Sequence, residues 1–259
     1  MALLTIATFN VNSVRMRAER LAAWLALRQP DIVCLQELKC LDDQFPRGVF
    51  RAKGYGAAVF GQKAYNGVAI LSRGDIDTIQ RGFDDNVEDP QSRFLSVQTM
   101  GVQVACAYMP NGERVGSDKW DYKLTWLARL ERWLDKNLQN DKPFALCGDY
   151  NIAPDDSDVR TPEAWRDSTL CDERVREAYR RLQSKGLMDT VRAMYPDGGP
   201  LTWWDYRSGG LQRDDGLRID HVLATAPLAS TLVSATVDRD EREGESASDH
   251  APVRVTFER

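Results

Sequence analysis

Short apolar segments recur along the whole chain, many of them consecutive, with few helical stripes between them. This pattern constrains the fold most, because such segments pair edge to edge and bury their faces between other layers. Leu3–Phe9, Asp31–Gln36, Tyr55–Phe60, Gly67–Ser72, Phe94–Thr99, Val102–Tyr108, Phe144–Cys147, Arg218–Ala224, Thr231–Val237 and Pro252–Phe257 read as strands. Helical spacing appears in fewer places. Ser13 is placed to cap a helix carrying Val14, Ala18, Leu21 and Leu25, and Pro30 stops it. Trp120, Leu124, Leu127, Leu130, Leu134 and Leu138 form the apolar stripe of a long helix, and another helix is expected over Asp172–Ser184. Consecutive strands fit hairpins better than a doubly wound parallel sheet. The expected class is α/β, with two packed mixed β-sheets flanked by helices. No repeat, low-complexity tract or linker interrupts the chain, so residues 1–259 are expected to form one domain.

Composition narrows the setting. Hydrophobic residues make up 42% and charged residues 28%, as in soluble globular proteins. No run approaches the roughly 18 apolar residues of a membrane helix, and no membrane partner is expected. The N-terminal stretch lacks the basic region and cleavage site of a signal peptide and reads as a first strand. The five cysteines (Cys34, Cys40, Cys106, Cys147 and Cys171) are scattered and contain no CxxC pair. That argues against a disulfide framework or a structural zinc site and for a reducing, cytoplasmic location. Cys34, Cys106 and Cys147 lie in apolar runs and are expected to be buried thiols. The net charge of −5 weighs against a polyanionic partner. A metal enzyme weakens that objection, since its acidic residues gather around the ion and its nucleic-acid contacts need only a local basic patch.

Polar residues of a restricted set stand where the apolar runs end. Asn10 follows the first run, Glu37 the second, and Tyr108 and Asn111 close Val102–Ala107. Asp149 and Asn151 follow Phe144–Cys147, Asp220 lies in the Arg218–Ala224 segment, and Asp249-His250 precede the last strand. One strand-terminal Asp or Asn is ordinary turn chemistry. Nine such residues, of the types one reaction needs, suggest a site held by a rigid scaffold.

Particular segments sharpen this. In Gly148-Asp149-Tyr150-Asn151 the residues at i and i+2 of an extended segment point the same way, so Asp149 and Asn151 can converge. Glu37 is a hard oxygen ligand of the kind that suits Mg²⁺, although a solvated strand end would look the same. Of the two histidines, His250 beside Asp249 is the candidate base or phosphate contact, whereas His221, inside a strand, reads as structural. Thr202-Trp203-Trp204-Asp205-Tyr206-Arg207 before Gly209-Gly210 can be a surface that stacks on nucleic acid, or simply tryptophans at a core edge.

Taken in order, these segments resemble the exonuclease III / abasic-site endonuclease family of the endonuclease–exonuclease–phosphatase superfamily. The matching pieces are Thr8-Phe9-Asn10-Val11-Asn12, Leu35-Gln36-Glu37-Leu38-Lys39 and Tyr65-Asn66-Gly67-Val68-Ala69. They continue with Tyr108-Met109-Pro110-Asn111-Gly112, Gly148-Asp149-Tyr150-Asn151-Ile152-Ala153-Pro154 and Thr202-Trp203-Trp204-Asp205-Tyr206-Arg207. Leu217-Arg218-Ile219-Asp220 and Ser248-Asp249-His250-Ala251-Pro252 complete the set.

The resemblance implies a four-layer α/β sandwich with its site at one edge of the paired sheets. It implies a Mg²⁺-dependent DNA phosphodiesterase of base-excision repair, with Mn²⁺ as a substitute. The activity would be incision 5′ to abasic sites, 3′→5′ exonuclease action with 3′-end trimming, or both. The partner would be double-stranded DNA, especially damaged or nicked, and the protein a monomer. Glu37 would be the main metal ligand, within a set that also includes Asn10, Asp149, Asn151, Asp249 and His250. Asp149 would activate water and Asn151 orient it or hold phosphate, while His250 paired with Asp220, Tyr108 and Asn111 would contact phosphate. Trp203, Leu217 and Ile219 would line a sugar pocket, and Arg93, Arg114, Trp204 and Arg207 would also face DNA. Pro162–Cys171 would lie near the phosphate pocket, with Leu170 affecting which side of a nick is accepted. Two rivals share this scaffold. One is a phosphodiesterase acting on inositol or lipid phosphates, and the other is an inactive nucleic-acid-binding paralogue.

Overall fold

The computed structural model describes residues 2–259, so Met1 lies outside the described residues. The first sheet is built from β1 (Leu3–Asn10), β2 (Ile32–Gln36), β3 (Gly56–Phe60) and β4 (Val68–Ser72), joined later by β11 and β12. The second contains β5 (Ile76–Arg81), β6 (Phe94–Thr99), β7 (Val102–Tyr108), β8 (Phe144–Asp149), β9 (Leu187–Asp189) and β10 (Asp220–Thr225). The chain then returns to the first sheet with β11 (Leu232–Val237) and β12 (Val253–Glu258). The helices are α1 (Ala18–Arg28), α2 (Arg47–Arg51), α3 (Asp118–Asn137), α4 (Pro162–Trp165), α5 (Glu173–Ser184), α6 (Thr190–Met194) and α7 (Ala226–Ala229).

The strand order is β11-β12-β1-β2-β4-β3 in one sheet and β5-β6-β7-β8-β10-β9 in the other. Both sheets are mixed, with β1–β2 and β7–β8 parallel and the remaining neighbours antiparallel. The apolar runs alternate between two cores, as the period of two demands. Ile32 and Cys34 join the core between the sheets, and Val33 and Leu35 join the core under α1 and α2. In β8, Ala145 and Cys147 face the other sheet while Phe144 and Leu146 face α3 and α5. Three apolar layers therefore separate four structural layers, and near-continuous apolar runs are the consequence of burial on both faces.

This arrangement places the site. The parallel pairs end at one edge, β1 at Asn10 beside Gln36 and β7 at Tyr108 beside Asp149. β10 and β12 run antiparallel to their neighbours and start at that edge, so Asp220 sits opposite Asp149 and Val253 opposite Thr8. Six strand termini thus converge on one place. Gly148 is needed here: a Cβ at this position would lie 1.8 Å from the Ala107 carbonyl oxygen, and its φ is +155°.

The structure corrects some element boundaries. Ser13 does not cap a helix. The backbone of Ser13 and Val14 donates to Glu37 and Leu38, Ser13 adopts φ 88°, and α1 starts only at Ala18. The strand expected from Arg218 begins at Asp220, because the Arg218 backbone and side chain both turn to Asp158. The edge strands β5 and β9 are additional. All five cysteines are free and buried.

Candidate active site

The convergent edge opens into a cleft of about 1300 Å³, lined among others by Glu37, Tyr108, Asn111, Asp149, Asn151, Ile219, Asp249 and His250. Glu37 and Asn151 both sit at positive φ, 55° and 50°, one residue after β2 and two residues after β8 respectively. Non-glycine residues adopt this conformation at a cost of about 1–2 kcal/mol, so the surrounding contacts must fix it.

Two carboxylates are tied together by one amide. The Asn10 Nδ2 donates to Glu37 Oε1 and to Asp149 Oδ2, each at 2.9 Å. Its oxygen is taken by the Asn12 N–H at 3.0 Å, which fixes the orientation of the amide. Asn10 therefore bridges the two carboxylates of the expected metal set. Glu37 also accepts from the Tyr108 hydroxyl at 2.9 Å and pairs with the Lys39 ammonium at 2.8 Å. Burial works against ionisation of Glu37, but Lys39 and these donors outweigh it and hold its carboxyl below the usual range. The Tyr108 phenol is pushed well up by burial and by Glu37, so it stays a donor.

Asp149 has a different environment. Its Oδ1 accepts the Asn151 N–H at 2.9 Å, and its Oδ2 lies 3.7 Å from His250 Nε2. Burial raises its pKa to about 7, although His250 pulls the other way. The His250 Nδ1 donates to Asp220 Oδ2 at 2.8 Å, because a carboxylate only accepts. Asp220 also accepts from Thr202 Oγ1 at 2.7 Å. Burial alone would discharge the imidazole; Asp220 and Asp149 overcome it and raise the His250 pKa to about 10. His250 is thus a cation at neutral pH, with its Nε2–H directed toward Asp149. Asp249 accepts from Trp203 Nε1 and Asn12 Nδ2, both at 3.0 Å. Burial opposes its ionisation, but His250 and these donors hold it below its ordinary range.

One ligand atom each from Glu37, Asp149 and His250 lies within 4.8 Å of the others. The carboxylate oxygens fit a hard divalent cation, and Lys39 already places a positive charge on Glu37. The His250 Nε2 faces the same spot, 3.7 Å from Asp149 Oδ2. Asn151 offers its Oδ1 to Asn111 Nδ2 at 2.9 Å and its Nδ2 to the Met109 carbonyl at 3.1 Å.

His221 is fully buried. Its Nδ1 faces the Arg218 guanidinium at 3.1 Å and must accept, so its Nε2 donates to the Ile152 carbonyl at 2.9 Å. Burial and Arg218 lower its pKa to about 4, and it is neutral structural material.

The remaining expected contacts divide. Arg93 lies 4.4 Å over the Tyr108 ring and lines the cleft with Arg114, Arg207 and Trp203. Trp204 is corrected: it is 1% exposed, donates to Asp214 and lies under Arg239, because its backbone N–H is drawn to the Asp249 carbonyl. Leu217 is also corrected. It is fully buried in the apolar cluster behind the cleft and supports Ile219, which reaches the wall. Asp167 to Leu170 line the cleft as the expected neighbourhood of Pro162–Cys171. Sequence reasoning missed Trp165, which meets Trp203 edge-on at 5.5 Å. It also missed Asn12 and Lys39; the polar Asn12 and Lys39 beside Asn10 and Glu37 were the available signal.

The Endonuclease/Exonuclease/phosphatase family matches residues 7–250. The exodeoxyribonuclease III of Haemophilus influenzae is 35% identical, over 96% of this chain and 98% of its own length. An AP endonuclease from Archaeoglobus fulgidus superposes with TM-score 0.96 at 36% identity, covering 99% of this chain and all of that one. A 3′ phosphatase from Neisseria, solved bound to a product DNA hairpin, gives TM-score 0.96 at 38% identity over the same shares.

Proposed function

This chain belongs to the Endonuclease/Exonuclease/phosphatase family, and on that footing we propose that it is a Mg²⁺-dependent DNA phosphodiesterase of base-excision repair. It would incise 5′ to abasic sites, trim 3′ ends as a 3′→5′ exonuclease, or do both. One observation carries the reading. An ionised carboxylate (Glu37), a carboxylate tuned to about 7 (Asp149) and a cationic imidazole (His250) face one spot within 4.8 Å. The relatives named above, a nuclease, an AP endonuclease and a DNA-bound 3′ phosphatase, support DNA as the polymer.

Glu37 and Asp149 are the residues that would hold the cation. A bound Mg²⁺, or Mn²⁺ in its place, supplies neutralisation of a phosphate oxygen and of the leaving alkoxide. The protein performs the rest. Asp149 takes the proton of the attacking water, a task for which a pKa of about 7 is suited. His250 already carries its proton and cannot take another, so it donates Nε2–H to a phosphate oxygen as negative charge builds there. Asn111 and Asn151 supply amide donors at the same phosphate, and Tyr108 fixes Glu37. Asp249 and Asn12 hold the Trp203 side of the cleft, where Trp203 and Ile219 form an apolar wall suited to a sugar without its base. Arg93, Arg114 and Arg207 provide the local basic rim that a phosphate backbone needs. In this reading the protein is a single-domain cytoplasmic monomer.

The test sets three substrate classes side by side with purified protein and Mg²⁺: duplex DNA, an inositol phosphate and a sphingolipid phosphodiester. Cleavage of DNA with the other two untouched is the expected result. Turnover of either small substrate without DNA cleavage overturns the reading.

A further inference from the structure

Lys123 on α3 is 0% exposed, although nothing in a packed core calls for a charge. Burying a lysine costs several kcal/mol, so packing does not account for it. Its Nζ donates to three backbone carbonyls, Asn151 at 2.7 Å, Thr169 at 2.8 Å and Asn111 at 3.2 Å. Although burial pushes its pKa down to about 7, three acceptors and, among the described residues, no donor around it call for the protonated form. An ammonium has three hydrogens and no acceptor, and the count matches. The three carbonyls belong to three separate loops, after β7, after β8 and after α4. Each loop lines the cleft, and two of them carry the Asn111–Asn151 pair, joined at 2.9 Å. The first loop closes tightly on the lysine stem. A Cβ on Gly112 would lie 3.0 Å from Lys123 Cδ, and Gly112 adopts φ +89°. Without the ammonium, three carbonyls, two of them in buried hydrogen bonds, would lose this donor together.

We propose that Lys123 is a positioning residue for the reaction: one buried ammonium clamps three loop backbones so that the Asn111 and Asn151 amides are aimed together at the bound phosphate. It touches no substrate and acts through those loops. The inference rests on the reading of the cleft as a phosphodiesterase site.

Two measurements test it, one of them independent of activity. In a crystal structure of Lys123→Gln, whose amide cannot reach all three carbonyls, the Asn111–Asn151 hydrogen bond is expected to be broken. Survival of that bond overturns the proposal. The second measurement is a kinetic cycle per folded molecule, with folded fraction taken from circular dichroism. Displacement of this kind is expected to lower kcat for DNA cleavage about 10- to 100-fold with KM nearly unchanged. Lys123→Arg, which keeps charge and donors, should recover part of the loss. In an Asn111→Ala background the Lys123→Gln substitution should cost far less, because the two act as one unit. A full, additive loss in that background, or an unchanged kcat, overturns it. The parent protein's own cleavage of DNA decides the underlying reading separately.

Discussion

Asp149 and Glu37 are both carboxylates fixed by the same Asn10 amide, yet their environments push them in opposite directions. In the proposed mechanism both would hold the cation, and the raised pKa of Asp149 suits it to take up the proton as well. Asp149→Asn keeps the shape and removes the base, so turnover on DNA is expected to fall roughly 100- to 10,000-fold. Duplex affinity, read by fluorescence anisotropy, should stay near that of the parent. Undiminished cleavage would remove Asp149 from its role. The sequence makes Asn10, Glu37, Asp149, Asp220 and His250 legible because each follows or begins an apolar strand. It hides Lys123, which on a helix looks like one more solvated charge. It also misleads at Trp203-Trp204, where neighbours in one extended segment face opposite ways: Trp203 lines the cleft and Trp204 enters the core.

At the level of elements, the start of β10 is set by an ion cluster beneath the site. Arg218 pairs with Asp158 at 2.6 Å and Asp189 at 2.9 Å, two residues before Asp220. Asp189 also caps α6 and accepts from the Tyr179 hydroxyl. Burial would raise its pKa, but Arg218 and His221 outweigh that and lower it to about 2. Its folded pKa lies below the unfolded value near 4, so this contribution is complete above about pH 4 and is lost as pH falls through about 2. The linkage is worth about 2–3 kcal/mol at neutral pH. Asp189→Asn should therefore lower the urea midpoint at pH 7, and its gap from the parent should narrow steadily between pH 4 and pH 2. A pH-independent gap would contradict this account. Such tertiary pairing also explains where the sequence reading slips. Arg218 leaves the strand pattern for Asp158, Ser13 leaves helix capping to pair with the Glu37 segment, β5 is an edge strand with several exposed positions, and β9 is an edge of only three residues.

For the whole molecule, the two mixed sheets turn sequence order into spatial convergence. Residues from Asn10 to His250 meet because parallel strands end, and antiparallel strands begin, at one edge. The apolar runs make the layers legible. The pairing order of the strands depends on contacts between distant segments, which no local pattern displays. A net charge of −5 is compatible with the proposed DNA substrate. Carboxylates such as Asp85, Asp89, Asp158 and Asp189 are consumed in ion pairs, while Arg93, Arg114 and Arg207 rim the cleft. Among the described residues no helix is long and apolar enough to cross a membrane. The central claim is that this edge cuts the DNA backbone with the help of a divalent cation. The most direct measurement uses an end-labelled duplex carrying one abasic-site analogue, incubated with Mg²⁺ or with excess EDTA. Incision on the 5′ side of the analogue, or stepwise shortening from the 3′ end, that depends on Mg²⁺ and stops in EDTA is the predicted result. An intact duplex in Mg²⁺, or equal cleavage in EDTA, would contradict the account.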